Sequence, residues 1–119
     1  SSMPEYLYII HPYRHDFFEA PTPEEEAVME EHFQYLRRAA ETSSLLLAGP
    51  CLDDTFGLVV FVAESDAAAS AFMFNDPSVK ANVMMAELHP FRASILGKGS
   101  SAGDGWSLPS GPSAQEMKG

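Results

Sequence analysis

The sequence predicts an α+β domain in which strands and helices follow one another in the order βαββαβ. Short runs of aromatic and β-branched residues alternate with longer segments whose apolar residues recur at helical spacing. The strand–helix–strand pattern also occurs twice. Two such halves build an antiparallel sheet with both helices on one face, which is the ferredoxin-like arrangement.

The first half of the chain supplies a strand, a loop and a long helix. The stretch from Glu5 to His11 is short and rich in aromatic and β-branched residues, so it predicts the first strand. The loop from Pro12 to Pro21 follows and carries several aromatic residues. Thr22 is a good N-cap, Pro23 suits the first helical position, and three glutamates favour the positive end of the helix dipole. This helix is expected to end near residue 42.

The second half supplies three strands, a helix and a helical turn. The unbroken apolar run of the third strand favours a central position in the sheet. The expected elements are a strand over Ser44–Pro50, a strand over Leu58–Ala63, a helix capped by Ser65 that ends near Phe74, a turn after Asp76–Pro77, and a strand over Val83–Leu96.

Composition divides the chain into residues 3–97, a single domain, and residues 98–119, a tail. The tail is dominated by Gly, Ser and Pro, and such a segment buries too little apolar surface to order itself. We therefore expect it to be flexible, with Trp106 and Leu108 as its only anchors. A chain of 119 residues is large enough for one core.

Charge and cysteine usage narrow the classes of partner and compartment. With 17 acidic and 7 basic residues, the formal net charge is −10, which disfavours nucleic acids and anionic membranes as partners. No apolar run approaches the roughly 20 residues that span a membrane. The single Cys51 excludes an internal disulfide. Because Met3 is not followed by the basic region of a signal peptide, we expect a cytoplasmic protein.

The first helix carries a candidate acid–base group. Its core-facing stripe is predicted to consist of Met29, Phe33, Leu36 and Ala40, and His32 falls about 60° to one side of that stripe. A partly desolvated imidazole there could titrate near neutrality and act as a general acid or base. The alternative is a boundary histidine that packs its ring and hydrogen-bonds to a neighbour.

Asp76 has two compatible roles. An Asp directly before a Pro is a common helix start, because its side chain accepts a backbone N–H of the first turn and the Pro fits the next position. One carboxylate oxygen can cap the turn while the other faces an imidazole. We therefore expect Asp76 to be a cap and a catalytic group at once.

The predicted topology brings further side chains to one edge of the sheet. The end of the first strand, the hairpin after the second strand and the end of the second helix all lie there, so His11, Asp53 and Asp54 are expected to converge with Asp76. The expected substrate contacts are His11, Gly49, Pro50, Asp53 and Pro77. His11 and His15 are spaced as helical metal ligands, but Pro12 intervenes, so we predict no metal site.

Four features together resemble the YCII-related family: His32, the run LLLAGP that contains Gly49, the Asp76–Pro77 pair, and the HPF run at His89. The resemblance covers roughly residues 5–94. It implies a dimeric α+β barrel with a His–Asp active site, which falls on His32 and Asp76. The long loop after the first strand and the tail depart from the family pattern.

The predicted function is general acid–base chemistry on a small organic molecule in a homodimer. His32 would transfer the proton, and Asp76 would orient the ring and stabilise the imidazolium. The uncovered sheet face needs a partner, and a second copy is the simplest one. No cofactor motif is present. The alternatives are a non-catalytic ligand-binding or regulatory module on the same fold, and a cofactor-free monooxygenase-like protein.

Overall fold

The computed structural model describes residues 3–98, which form one antiparallel sheet of four strands with three helices packed on it. The sheet order is β2-β3-β1-β4, so the first and third strands are central, and the class is the predicted α+β arrangement. The elements are β1 Glu5–Pro12, α1 Pro23–Glu41, β2 Leu45–Pro50, β3 Gly57–Val62, α2 Asp66–Phe74, α3 Pro77–Lys80 and β4 Met84–Phe91.

The start of α1 is a capping box. The Thr22 hydroxyl accepts from the backbone N–H of Glu25 at 3.1 Å, and the Glu25 carboxylate accepts from the backbone N–H of Thr22 at 2.8 Å. Pro23 stands at the first helical position, where a missing N–H costs nothing. The predicted helix start is confirmed, and local chemistry accounts for it.

Alternation along β1 decides which side chains reach the helices. Tyr6, Tyr8 and Ile10 are buried, whereas the residues between them are not. Because successive side chains of a strand point to opposite faces, these three share the helix-covered face. The core that they build with the helices and other strands also includes Met29, Phe33, Leu36, Val59, Phe61, Met73 and Met84.

The buried stripe of α1 is rotated from its predicted position. Ala39 is buried and Ala40 is exposed, and His32 lies inside the stripe and is fully buried. The positions 29, 32, 33 and 36 follow the i, i+3, i+4, i+7 pattern that centres a helix on the core. The expectation that His32 is a boundary residue is therefore wrong.

The last strand is shorter than predicted. It ends at Phe91, and Phe91 pairs with Glu5, the first residue of β1. A strand at the edge of a sheet can continue only as far as its neighbour, and β1 is preceded by Pro4, which has no backbone N–H. The predicted extension to Leu96 therefore has no partner strand.

No described element covers the sheet face opposite the helices. We call this surface the open face. Leu47, Met85 and Phe91 on it are 57%, 42% and 42% exposed. Its apolar residues, assigned by strand register, are Leu7, Ile9, Leu47, Leu58, Val60, Val62, Met85 and Phe91. Apart from residue 98, the predicted tail, with Trp106 and Leu108, lies outside the described residues.

Candidate functional site

His32 and Asp76 lie in direct contact beneath the helices. His32 projects from the middle of α1, and Asp76 lies between α2 and α3, so the two are brought together by helix packing and not by sequence proximity. The His32 Nδ1 atom is 2.8 Å from Asp76 Oδ1 and 2.9 Å from Oδ2. Both side chains are 0% exposed.

Two further residues bind the same carboxylate. The backbone N–H of Ser78 donates to Asp76 Oδ1 at 2.9 Å, and the Ser78 hydroxyl donates to the same oxygen at 2.8 Å. The Tyr8 hydroxyl donates to Asp76 Oδ2 at 2.6 Å. Asp76 is thus the N-cap of α3, as predicted, and also the centre of a buried hydrogen-bond network.

The network holds Asp76 as an anion and Tyr8 as a neutral phenol. Burial by itself raises the pKa of Asp76, but hydrogen bonding from His32, its charge, and the hydrogen bonds from Tyr8 and Ser78 outweigh burial and lower it. Burial, followed by the charge of Asp76 and the hydrogen bond to it, raises the pKa of Tyr8 well above the usual phenol value. Because an ionised carboxylate only accepts, Nδ1 of His32 carries the proton of that bond.

Tyr8 and Ser78 were not predicted as site residues. Tyr8 could have been placed from the alternation of the first strand. Tyr8 and Ile10 are two residues apart and therefore face the same side of the sheet, whereas His11 faces the other side. Ser78 is two residues beyond a capping Asp, within reach of its carboxylate, but no sequence pattern marks its hydroxyl as a second donor.

The predicted convergence fails for His11. Its position near the end of β1 is at the expected end of the sheet, but its side chain is exposed and has the opposite parity to Tyr8. It therefore lies on the open face, across the sheet from the pair. Asp53 and Asp54 also lie apart from the pair: both are exposed in the β2–β3 hairpin, where Asp53 accepts from Thr55 and Asp54 adopts a φ of 63°.

The remaining predicted contacts lie at the end of β2 and at the start of α3. Gly49 pairs with Leu58 and Pro50 with Gly57, so both belong to the edge of the sheet near the hairpin. Pro77 lines a groove of about 580 Å³ between α1 and α3. Glu31 and Asn75 line it as well, and these residues flank His32 and Asp76 in sequence. His32 and Asp76 themselves are fully buried and do not line the groove.

The family is identified by a match that extends over most of the chain. Residues 6–92 match the YCII-related domain, and they include both members of the buried pair. The chain belongs to the YCII-related family. No curated protein matches the chain.

A solved structure shares the fold of this YCII-related chain. It is 5-chloro-2-hydroxyhydroquinone dehydrochlorinase from Burkholderia phenoliruptrix AC1100, solved in complex with 2,5-dihydroxybenzoquinone. The TM-score is 0.56 at 20% sequence identity, and the match covers 73% of this chain and 93% of that chain. At this identity the likeness establishes a common fold.

The loop between β1 and α1 is packed against the rest of the domain. Phe17 is 1% exposed and belongs to the core, with Phe18 against its ring edge. Arg14 donates to both carboxylate oxygens of Glu25, at 2.7 and 3.0 Å, and to the carbonyl oxygen of Ala20. The loop is thus attached to the first turn of α1.

Within residues 3–98, no three His, Cys, Asp or Glu side chains are grouped closely enough to hold a metal ion. None of the helices in that range combines the length and the apolar character needed to cross a bilayer.

Proposed function

We propose that this YCII-related protein is a small-molecule enzyme in which His32 and Asp76 carry out general acid–base catalysis. The observation that supports this function is the 2.8 Å contact between an imidazole and a carboxylate that is kept anionic in a buried setting. Histidine is the side chain best suited to transfer protons near neutral pH.

The proposal gives a distinct role to each member of the pair. Asp76 accepts the Nδ1 proton, so proton exchange with a substrate would take place at Nε2 of His32. When the imidazole gains a proton, the buried carboxylate would stabilise the positive charge and keep the ring oriented. The neighbouring groove at Pro77 and Asn75 is the route by which we propose that a substrate approaches.

The dehydrochlorinase that shares the fold suggests the first ligands to test. Its structure contains 2,5-dihydroxybenzoquinone, a small planar ring with hydroxyl groups. An acid–base pair can exchange protons with such hydroxyl groups without help from a cofactor. We therefore propose a small organic substrate, and we use hydroxylated rings as probes.

The burial of the pair favours a second candidate function. Neither His32 nor Asp76 is exposed in a single chain, so a ligand can reach them only if the surrounding structure opens. A module that binds a ligand or senses it without turnover would need no exposed reactive group. Catalysis and binding are separated by whether the bound probe is converted.

We also propose that the protein assembles as a homodimer through the open face and works in the cytoplasm. The exposed apolar side chains of that face support assembly, since such a surface is rarely left in water. The single Cys51 is consistent with a reducing compartment.

The test replaces His32 and follows binding and turnover separately. We expect His32→Asn to lose turnover of a panel of hydroxylated aromatic compounds by about 10²- to 10⁴-fold, because the proton-transfer group is gone. His15→Asn removes an exposed histidine from the loop and should leave turnover unchanged. Isothermal titration with 2,5-dihydroxybenzoquinone measures binding. Equal turnover by folded His32→Asn and wild-type protein would contradict the acid–base role.

A further inference from the structure

Each oxygen of the Asp76 carboxylate is held by a different element. Ser78, in α3, donates twice to Oδ1, and Tyr8, in β1, donates to Oδ2 at 2.6 Å. Between these anchors, His32 Nδ1 is almost equally distant from the two oxygens, at 2.8 and 2.9 Å. The carboxylate plane is therefore fixed from both sides, by the sheet and by a helix start.

We propose that Tyr8 is a positioning residue that anchors Oδ2 of Asp76 and shares the negative charge which the carboxylate otherwise directs at His32. This inference rests on the proposed function for its catalytic meaning. The coupling between Tyr8, Asp76 and His32 can be measured without knowing the substrate.

Charge sharing matters because the pair is buried. A carboxylate without other donors in a site closed to water would favour the protonated imidazole strongly. A general acid–base group has to gain a proton and also release it during each cycle. The hydroxyl of Tyr8 takes up part of the carboxylate's hydrogen-bonding capacity, so the imidazolium is stabilised less and the proton can leave.

Tyr8 can keep this role throughout the neutral range. Burial and the adjacent carboxylate raise the pKa of its phenol well above the usual value, so the hydroxyl stays protonated and remains a donor. The tyrosine of α1 in this region, Tyr35, behaves similarly: burial, followed by the charge of Asp76, raises its pKa to about 12 against the opposing effect of Arg38. Its hydroxyl donates to the Phe72 carbonyl oxygen.

The chain offers a matched control on the same strand. Tyr6 lies two residues before Tyr8 on the same face, and its hydroxyl donates to Asp66 Oδ1 at 2.7 Å. Tyr6→Phe and Tyr8→Phe therefore remove the same atom from the same strand. The two variants differ in which carboxylate loses a donor.

The experiment is an NMR titration of the His32 imidazole in the full chain, with thermal unfolding as a check on folding. In Tyr8→Phe we expect the midpoint of the His32 titration to move upward by about 0.5 to 1 pH unit, because the carboxylate has lost a donor. In Tyr6→Phe the midpoint should stay where it is in the wild type.

An unchanged or lowered midpoint in folded Tyr8→Phe would overturn the proposal, and so would an equal shift in Tyr6→Phe. If Tyr8→Phe does not fold, the wild type decides: the NMR signal of the Tyr8 phenol carbon should follow the His32 titration, and a signal that does not respond would overturn the proposal. The proposed function can fail separately: the expected shift together with no conversion of any probe by the wild type would support the coupling and reject the catalysis.

Discussion

At the scale of single residues, Asp76 combines two tasks, as a helix cap and as the hydrogen-bond partner of His32. As a cap it needs one oxygen near the first turn of α3, and as the partner of His32 it needs the whole carboxylate in one plane. Ser78 serves both needs, because its backbone N–H is capped and its hydroxyl binds the same oxygen. The cap therefore also orients the group that faces the imidazole.

We predict that Asp76→Asn is more destabilising than the loss of a surface carboxylate. Asn can still accept from the Ser78 N–H, but its amide nitrogen replaces an acceptor that meets donors from Tyr8 and His32. One buried donor is then left poorly paired, which costs roughly 1–3 kcal/mol. Urea unfolding measures the difference. Asp66→Asn, at an exposed carboxylate with one tyrosine partner, is the control and should cost clearly less.

The same residue should make stability depend on acid pH. The folded pKa of Asp76 is lowered from the ordinary value of 3.8, so its stabilising effect is complete well above pH 3.8 and is lost as the pH falls through the lower folded value. The gap in free energy of unfolding between wild type and Asp76→Asn should therefore narrow in acid. Unfolding curves from pH 7 to pH 2 test this, and a constant gap would speak against a charged Asp76.

At the scale of elements, one glutamate joins the loop to the helix that carries His32. Glu25 completes the capping box of α1 and also accepts from Arg14. The hydrogen bond from Arg14 is the main cause that lowers the pKa of Glu25 to about 2. The start of α1 and the position of the loop are therefore set by the same carboxylate.

We predict that Arg14→Gln loosens the loop without unfolding the domain. The ion pair and the contact with the Ala20 carbonyl oxygen would be lost, while Phe17 remains packed in the core. Amide hydrogen exchange of Phe17 and Ala20, which donate to backbone carbonyl oxygens within the loop, should become faster. Arg37→Gln on the exposed side of α1 is the control. Equal exchange rates in all three proteins would show that the contacts of Arg14 do not hold the loop.

At the scale of the whole molecule, the main feature is the open face of the sheet, which no described element covers. Its centre is apolar, whereas His11, Glu87 and His89 add polar groups near β4. A second copy would bury the apolar centre, and a two-fold axis would make the interface self-complementary, so that the same surface of each chain contacts the other. This geometry is the expected basis of the homodimer.

We predict that the wild type sediments as a dimer and that a double charge substitution on the open face makes it a monomer of about 13 kDa. Leu47→Lys combined with Met85→Lys places two charges where the interface is expected, and a buried unpaired charge is costly. Phe74→Lys is the control, since Phe74 is 60% exposed at the end of α2, away from the open face. A wild-type monomer at micromolar concentration would contradict the assembly.

The sequence by itself determined the order of the elements, the caps at Thr22 and Ser65, and the family to which the chain belongs. The elements and caps depend on neighbours a few residues apart, and the family match depends on the sequence of residues 6–92. The tertiary structure alone decided that Tyr8 and Ser78 share the Asp76 carboxylate with His32 and that His32 is fully buried. Such contacts join residues as many as 68 positions apart. They depend on strand register and on how a helix rotates against the sheet, and a shift of one residue reverses the face of every side chain in a strand.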